Sequence, residues 1–426
     1  MTLTDDLLRR IDVLSDGSVV RPGAADDAID DVVPAVVVAP ESAEAVAAAL
    51  ATVSRERLTT VIRGGGTKLG WGRPPQTIDV VLDLGRLNRV VAHRHGDLTV
   101  TVEAGAPLAE VNRALAQHRQ WLAIDTAFDA ATIGGLIATN DSGSLRHRYG
   151  TPRDLLIGIG LATTDGRLAK AGGQVVKNVA GYDLGRLVSG SFGSLAAIVS
   201  ATFKLSPLPL ASATMAARFA DRDAAVRAVA AVAASTLDPM AFDFDTSAPA
   251  AGSEPMAVQL AVRFAASPRA VDAQIARARE MMSGGDVSVT SGESDDAWWR
   301  ARVGEIWSGA GAVVRMAWPA AAVGDMFRAI ETIARGERTA IAVVGRAAVG
   351  AGLARIDGDA DAQVRVVERL RRQAPAIQHV VVRRAARDVK ARADVWGPAD
   401  SATPVLAAIK QALDPAGVLN AGRGPV

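Results

Sequence analysis

Arg63-Gly64-Gly65-Gly66-Thr67-Lys68-Leu69-Gly70-Trp71-Gly72 follows directly on Leu58-Thr59-Thr60-Val61-Ile62, an apolar run that reads as a short buried strand. Glycines without a Cβ let successive backbone N–H groups converge on one point. Converging amides flanked by an arginine and a lysine make a concave anion site. A phosphate or pyrophosphate suits it, although a bare glycine-rich turn has the same composition. Two better-known phosphate loops fail on spacing. A Walker loop needs Gly-Lys followed by Ser or Thr, whereas Lys68 stands between Thr67 and Leu69. A dinucleotide fingerprint opens a helix, and Pro74 and Pro75 stop any helix soon after this loop. The sequence therefore predicts a phosphate cradle between strands.

Working outward, residues 32–38 read as a strand with a proline near its start, and a helix capped by Ser42 runs through 45–52. With the strand before the glycine loop, this is a strand–helix–strand unit. β-rich segments follow at 80–84 and 98–105, then a helix over 106–117 with Pro107 at its start, and a strand over 197–205. Between them, 124–193 is dense in glycine but varied in its other residues, the texture of a ligand-binding wall rather than a linker. Beyond about 210, Ala- and Arg-rich helices (221–234, 268–282) alternate with strands such as 258–264. The expected division is 1–210, a cofactor domain; 211–394, a smaller α+β domain; and 395–426, a tail that returns to the first.

Composition narrows the function. Among 426 residues, 47 are basic and 46 acidic, which leaves no electrostatic footprint for nucleic acid, and aromatics at 4% leave few stacking platforms. There is no cysteine, so no disulfide, thiolate nucleophile or cysteine-held iron–sulfur cluster forms within these residues. The first 20 residues lack an apolar signal core, and the best spanning candidate, 340–353, is short and contains Arg346. A cytoplasmic protein without a direct membrane span is expected, at most peripheral at the inner face of the cell membrane through partners.

Four segments carry the chemistry. They are the loop at 63–72; Ala131-Thr132-Ile133-Gly134-Gly135-Leu136-Ile137-Ala138-Thr139-Asn140-Asp141-Ser142-Gly143; Gly172-Gly173-Gln174-Val175-Val176-Lys177-Asn178-Val179-Ala180-Gly181-Tyr182-Asp183-Leu184; and Asn420-Ala421-Gly422-Arg423. In this order they resemble the p-cresol methylhydroxylase/vanillyl-alcohol oxidase (PCMH) type of FAD-binding domain. The third resembles the FAD-binding "E" subunit of bacterial glycolate oxidase. The resemblance is strongest over 32–209, weaker through the second domain, and returns at the tail. It implies an α+β chain with a two-lobed FAD domain, a smaller cap domain, and the diphosphate between the two lobes.

Carried over by position, the resemblance implies that Arg63, Gly64, Gly65, Gly66 and Thr67 wrap the pyrophosphate with their amides, with Lys68 and Leu69 beside them. Thr132, Ile133, Gly134 and Gly135 supply a second glycine-lined contact. Asn140, Ser142 and Gly143 lie by the flavin or its diphosphate. Lys177, Gly181 and Tyr182 come from the third segment, Gly190, Gly193 and Ile198 from the strand side, and Asn420 and Arg423 from the tail. Some relatives tether FAD through a histidine or a cysteine. Thr67 stands at that histidine's position and cysteine is absent, so FAD is expected to be non-covalent. Ala196 and Ala421 depart from the glycine and proline usual in relatives.

The catalytic residues stay unassigned. The His-Gly-Asp-Gly-Asn type of motif carried by the sister catalytic subunit is missing: His95-Gly96-Asp97 stops at Leu98. His93 and His95 read as exposed turn histidines without companions, and no metal site is expected. His147 is a candidate base or a surface histidine. Asp295 and Asp296 form a paired-acid candidate whose neighbours Trp298 and Trp299 suit a core. Arg315 suits either a carboxylate clamp or a salt bridge.

The resemblance implies a subunit of a glycolate oxidase-like complex. Such a complex oxidises a small 2-hydroxy acid (glycolate or D-lactate) alongside a sister FAD-linked catalytic subunit and an iron–sulfur subunit. A stand-alone FAD-dependent alcohol oxidoreductase and a flavin-bearing assembly subunit without catalysis are the alternatives.

Overall fold

A computed structural model describes residues 18–173, 182–250 and 256–426. The described residues divide into two compact units: those within 18–142, 150–208 and 399–426 form the first, and those within 143–149 and 209–398 the second. The sequence reading kept 143–149 with the first domain; the structure counts that stretch with the second unit.

The first unit has two lobes. One is a sheet ordered β1-β2-β4-β3, with β1 Val19–Pro22, β2 Val36–Ala39, β3 Thr60–Arg63 and β4 Val80–Asp83. β2, β4 and β3 run parallel, and the helix Ala43–Arg55 carries the chain from β2 across to β3. That helix starts where expected, because Ser42 Oγ accepts the Ala45 N–H at 3.1 Å. Its apolar stripe, Val46, Leu50 and Val53, packs on Val36, Val80 and Leu82. The strand expected from residue 32 begins only at 36. Asp30 and Asp31 take left-handed backbone at φ 47° and 68°, and Ile29 and Val32 bond to each other instead, so the chain turns before the sheet begins.

The second lobe is an antiparallel sheet ordered β5-β6-β10-β8-β9. Its strands are β5 Val90–Arg94, β6 Thr99–Glu103, β8 Leu156–Ala162, β9 Leu168–Gly172 and β10 Ala197–Lys204. A short ribbon pairs β7 Gln120–Trp121 with β11 Ser206–Pro207. The helices Leu108–Ala116 and Ile133–Thr139 bury Val111, Leu115, Ile133 and Ile137 against Val100, Val102, Ala201 and Phe203.

Among the described residues, the second unit is built on one eight-stranded antiparallel sheet ordered β15-β12-β14-β13-β17-β18-β16-β19. The strands are β12 Ala211–Phe219, β13 Ala241–Ala248, β14 Val258–Ala266, β15 Asp286–Ser291, β16 Ala312–Ala317, β17 Ile341–Arg346, β18 Ala351–Ile356 and β19 Gln378–Arg384. Its apolar rows, including Phe242, Phe244, Leu260 and Phe264, share one core with Val229, Phe327, Ile330 and Val367 of three helices. Trp299 packs with Ala241 and Ala261 in a separate small cluster. No helix among the described residues is long and apolar enough to cross a membrane.

Candidate cofactor site

β3 ends at Arg63 and delivers the chain into the glycine loop. The loop lies hard against the entrance to the helix Ile133–Thr139. A Cβ on Gly64 would stand 2.2 Å from Thr132 Oγ1, and one on Gly65 would stand 1.7 Å from the Ala130 carbonyl oxygen. Only glycine allows the two backbones to approach so closely, which is the physical demand behind the motif. Gly134 is held the same way, its Cβ position 2.9 Å from the Ala104 side chain.

The two segments wall a cavity in the first unit. From the loop come Gly64–Leu69 and Trp71; from the helix entrance come Thr132, Gly134, Gly135, Ala138 and Thr139. The strand side gives Ile62, Gly193, Ala196 and Ile198, and the tail gives Asn420 and Arg423. Thr132 is 4% exposed and its Oγ1 has no hydrogen-bond partner among the described residues. A buried hydroxyl on a glycine-lined wall is what an oxygen-rich ligand satisfies.

Lys68 is the cation that the glycine loop brings to this wall. Its side chain is 6% exposed, with Nζ 3.2 Å from Asp141 Oδ2 and 5.0 Å from the centre of the Phe128 ring. Burial pulls its ammonium below the ordinary lysine value, and Asp141 opposes the shift. The Arg63 side chain, by contrast, is not on the wall. Its guanidinium bonds Asp83 Oδ2 at 2.9 and 2.7 Å and Asp27 Oδ1 at 2.8 Å. Hydrogen bonds, led by that from Arg21, hold the Asp27 carboxyl well below the usual carboxylate range.

The tail closes the cavity. Thr60 N–H donates to the Val418 carbonyl and Asn420 N–H to the Thr60 carbonyl, both at 2.8 Å, so the tail bonds the open edge of β3. Asn420 donates through its amide to the Phe192 carbonyl. Arg423 bonds the carbonyls of Leu69, Trp71 and Arg73, so these bonds brace the loop from behind. Lys410 and Asp414 were not singled out in the sequence. Lys410 Nζ reaches the carbonyls of Ser194 and Leu419 at 2.9 and 2.8 Å, and Asp414 accepts the N–H groups of Val418 and Leu419. Their i,i+4 spacing at the end of the helix Thr403–Leu413 was the available signal.

Other expected site residues fall elsewhere. Ile133, Asn140, Ser142 and Gly190 do not line the cavity, although Asn140 ends the helix in left-handed backbone at φ 44°. Gly143 belongs to the second unit. Tyr182 is 92% exposed. Lys177 and Gly181 lie outside the described residues.

His147 is also in the second unit, where burial lowers its imidazole value and its Nδ1 has no partner among the described residues. Asp295 is fully buried and accepts from Ser212 at 2.6 Å and from Arg263 Nε at 2.8 Å, a structural role rather than an acid pair with Asp296. Arg315 pairs across the sheet with Leu353 and Val381. His93 and His95 do have a companion: the His118 ring lies 5.1 and 4.5 Å from theirs. Among the described residues no group of three or more ligating side chains is placed to hold a metal.

Comparison with known proteins bears on this cavity. Residues 34–172 match an FAD binding domain, and residues 208–382 match the C-terminal domain of FAD linked oxidases. The chain is 32% identical over 212 residues to "Glycolate oxidase subunit GlcD" of Bacillus subtilis, a match covering 50% of this chain and 45% of that protein. It is 35% identical over 164 residues to "Glycolate oxidase subunit GlcE" of Escherichia coli, covering 38% and 46%. These matches span about half the length of the curated relatives. Among solved structures, an alkyldihydroxyacetonephosphate synthase superposes with TM-score 0.69 at 16% identity, over 92% of this chain and 78% of that one, a likeness of fold. The two matched regions are an FAD binding domain and the C-terminal domain found in FAD linked oxidases, and FAD is the cofactor.

Proposed function

We propose that this chain is the FAD-bearing subunit of a complex that oxidises a small 2-hydroxy acid. The observation that carries the reading is the wall where Gly64 and Gly65 back onto Ala130 and Thr132. Relatives named as glycolate oxidase subunits, D-lactate dehydrogenase and D-2-hydroxyglutarate dehydrogenase support the substrate class.

The residues fit the cofactor. The amides of Gly64–Thr67 would hold the diphosphate, with Thr132 Oγ1 donating to one of its oxygens. Gly134 and Gly135 would let the cofactor lie against backbone. Lys68 would place a cation near the dianion while Asp141 keeps it oriented. The apolar side chains Ile62, Leu69 and Ile198 would exclude water. FAD, when bound, supplies the hydride-accepting chemistry.

Lys68 and Arg423 are the ionisable side chains among the described lining residues; no carboxylate or imidazole is there to take a hydroxyl proton. This favours chemistry shared with a sister flavoprotein over a self-sufficient alcohol oxidoreductase. Without cysteine in these residues, an iron–sulfur acceptor would sit on another subunit.

The test is anaerobic flavin bleaching by glycolate and D-lactate, for the chain alone and for the chain co-expressed with its genomic neighbours. Bleaching only in the co-expressed complex is expected. Full bleaching and turnover by the chain alone would overturn the subunit reading, and no bleaching in either would overturn the substrate class.

A further inference from the structure

An open sheet edge is a template for another strand, and most described edges of this chain are blocked. In the first unit β1 carries Arg21 and Pro22, the tail bonds β3, β5 shifts register and ends on Arg94, and β9 carries Lys170. The β7–β11 ribbon has only two residues in each strand. In the second unit β19 shifts register against β16, and Val382 donates its N–H to the Val395 carbonyl. The other edge of that sheet, β15, has none of these devices. Its residues 286–291, Asp-Val-Ser-Val-Thr-Ser, include no proline, lysine or arginine. It pairs with β12 without a register shift, from Asp286 opposite Arg218 to Ser291 opposite Ala213.

The ladder decides which groups this edge offers. The Gly292 N–H donates to the Ser212 carbonyl, in line with the β12–β15 register. Antiparallel bonds join every second pair, so Asp286, Ser288 and Thr290 turn their backbone groups to β12. Val287, Val289 and Ser291 turn theirs to the open side, where no described residue takes them. Val289 is 42% exposed.

The edge is complementary to itself. In a two-fold antiparallel pair with Val289 on the axis, Val287 stands opposite Ser291 of the second copy, and the two exchange both N–H···O bonds. Val289 does the same with its own counterpart. Every outward N–H and carbonyl of the three residues is then met. Asp286, the charged residue of the strand, falls opposite Gly292, so no like charges face each other. The two Val289 side chains lie side by side on one face and shield each other from water.

We infer that β15 docks on the β15 of a second copy of this chain and joins the two eight-stranded sheets into one. The inference rests on the sheet alone and does not depend on the 2-hydroxy acid reading.

The test is light scattering and sedimentation of the FAD-loaded full chain from low to high micromolar concentration. A reversible dimer, with twice the 44.0 kDa mass of one chain, is expected. Val289→Pro removes an outward N–H and leaves the β12 ladder its donors. Val289→Lys sets two ammonium groups against each other on the axis and serves if the proline variant does not fold. Either should raise the dimer dissociation constant roughly tenfold or more. Hydrogen exchange at Val287, Val289 and Ser291 should slow as the dimer fills. A monomer throughout, an undiminished dimer in the folded variants, or exchange at these amides that ignores concentration would overturn the docking edge. A monomer whose β15 gains protection only in the co-expressed complex would overturn the assignment to a second copy.

Discussion

At the scale of single residues, glycines in the cofactor wall do two separable jobs. Gly65 permits contact with the Ala130 carbonyl, 1.7 Å from where its Cβ would be, whereas a Cβ on Gly135 would meet nothing nearer than Thr132 Oγ1 at 3.4 Å. Gly65→Ala should therefore push the loop off its support, lowering the melting temperature by several degrees and losing FAD together. Gly135→Asp should leave the fold intact, as read by circular dichroism, yet set a carboxylate where the diphosphate is proposed to lie and lower FAD occupancy at least tenfold. Retained yellow colour in purified Gly135→Asp would remove the diphosphate from this wall. The glycines were legible in the sequence because the backbone itself demands them. The direction of Arg63 was not. Its guanidinium turns to Asp27 and Asp83, partners 36 and 20 residues away, and nothing in the local spacing announces them.

At the scale of elements, local signals located the helices and missed the contacts that brace the site. The Ser42 cap and the Asp221 cap both start helices, because each accepts an N–H within three residues and needs no tertiary partner. The tail is the opposite case: Asn420 and Arg423 could be placed near the cofactor only through family resemblance, because Arg423 finds its carbonyl partners some 350 residues back along the chain. Those bonds make the tail a brace for residues 69–73. Arg423→Leu should leave three carbonyls short of a donor and cost about 2–4 kcal/mol, since several bonds to a charged group go at once. Urea unfolding should show the lower midpoint, and FAD should dissociate faster. A variant with wild-type stability and FAD off-rate would mean that the brace is idle.

At the scale of the whole molecule, the chain builds its two units by different sheet logic. The parallel β2, β4 and β3 need a crossover helix and bring their carboxyl ends to one edge, where the glycine loop begins, whereas the antiparallel sheet of the second unit is covered by helices on the face of its large core. Every described residue that lines the cofactor cavity belongs to the first unit, including Asn420 and Arg423 from its far end. This predicts the footprint of FAD in hydrogen exchange. A ligand stabilises the state it binds by RT ln(1 + [L]/Kd), about 2.7 kcal/mol at a hundredfold excess over Kd. Exchange should slow on adding FAD in four stretches distant in sequence: 60–71, 131–139, 192–198 and 418–424. The tail should respond as strongly as the loop, because Thr60 bonds both Val418 and Asn420 and so links their opening. The strands β12 to β19 should change less. Protection confined to the loop, with the tail exchanging as fast as before, would show that residues 418–424 open independently of the cofactor wall.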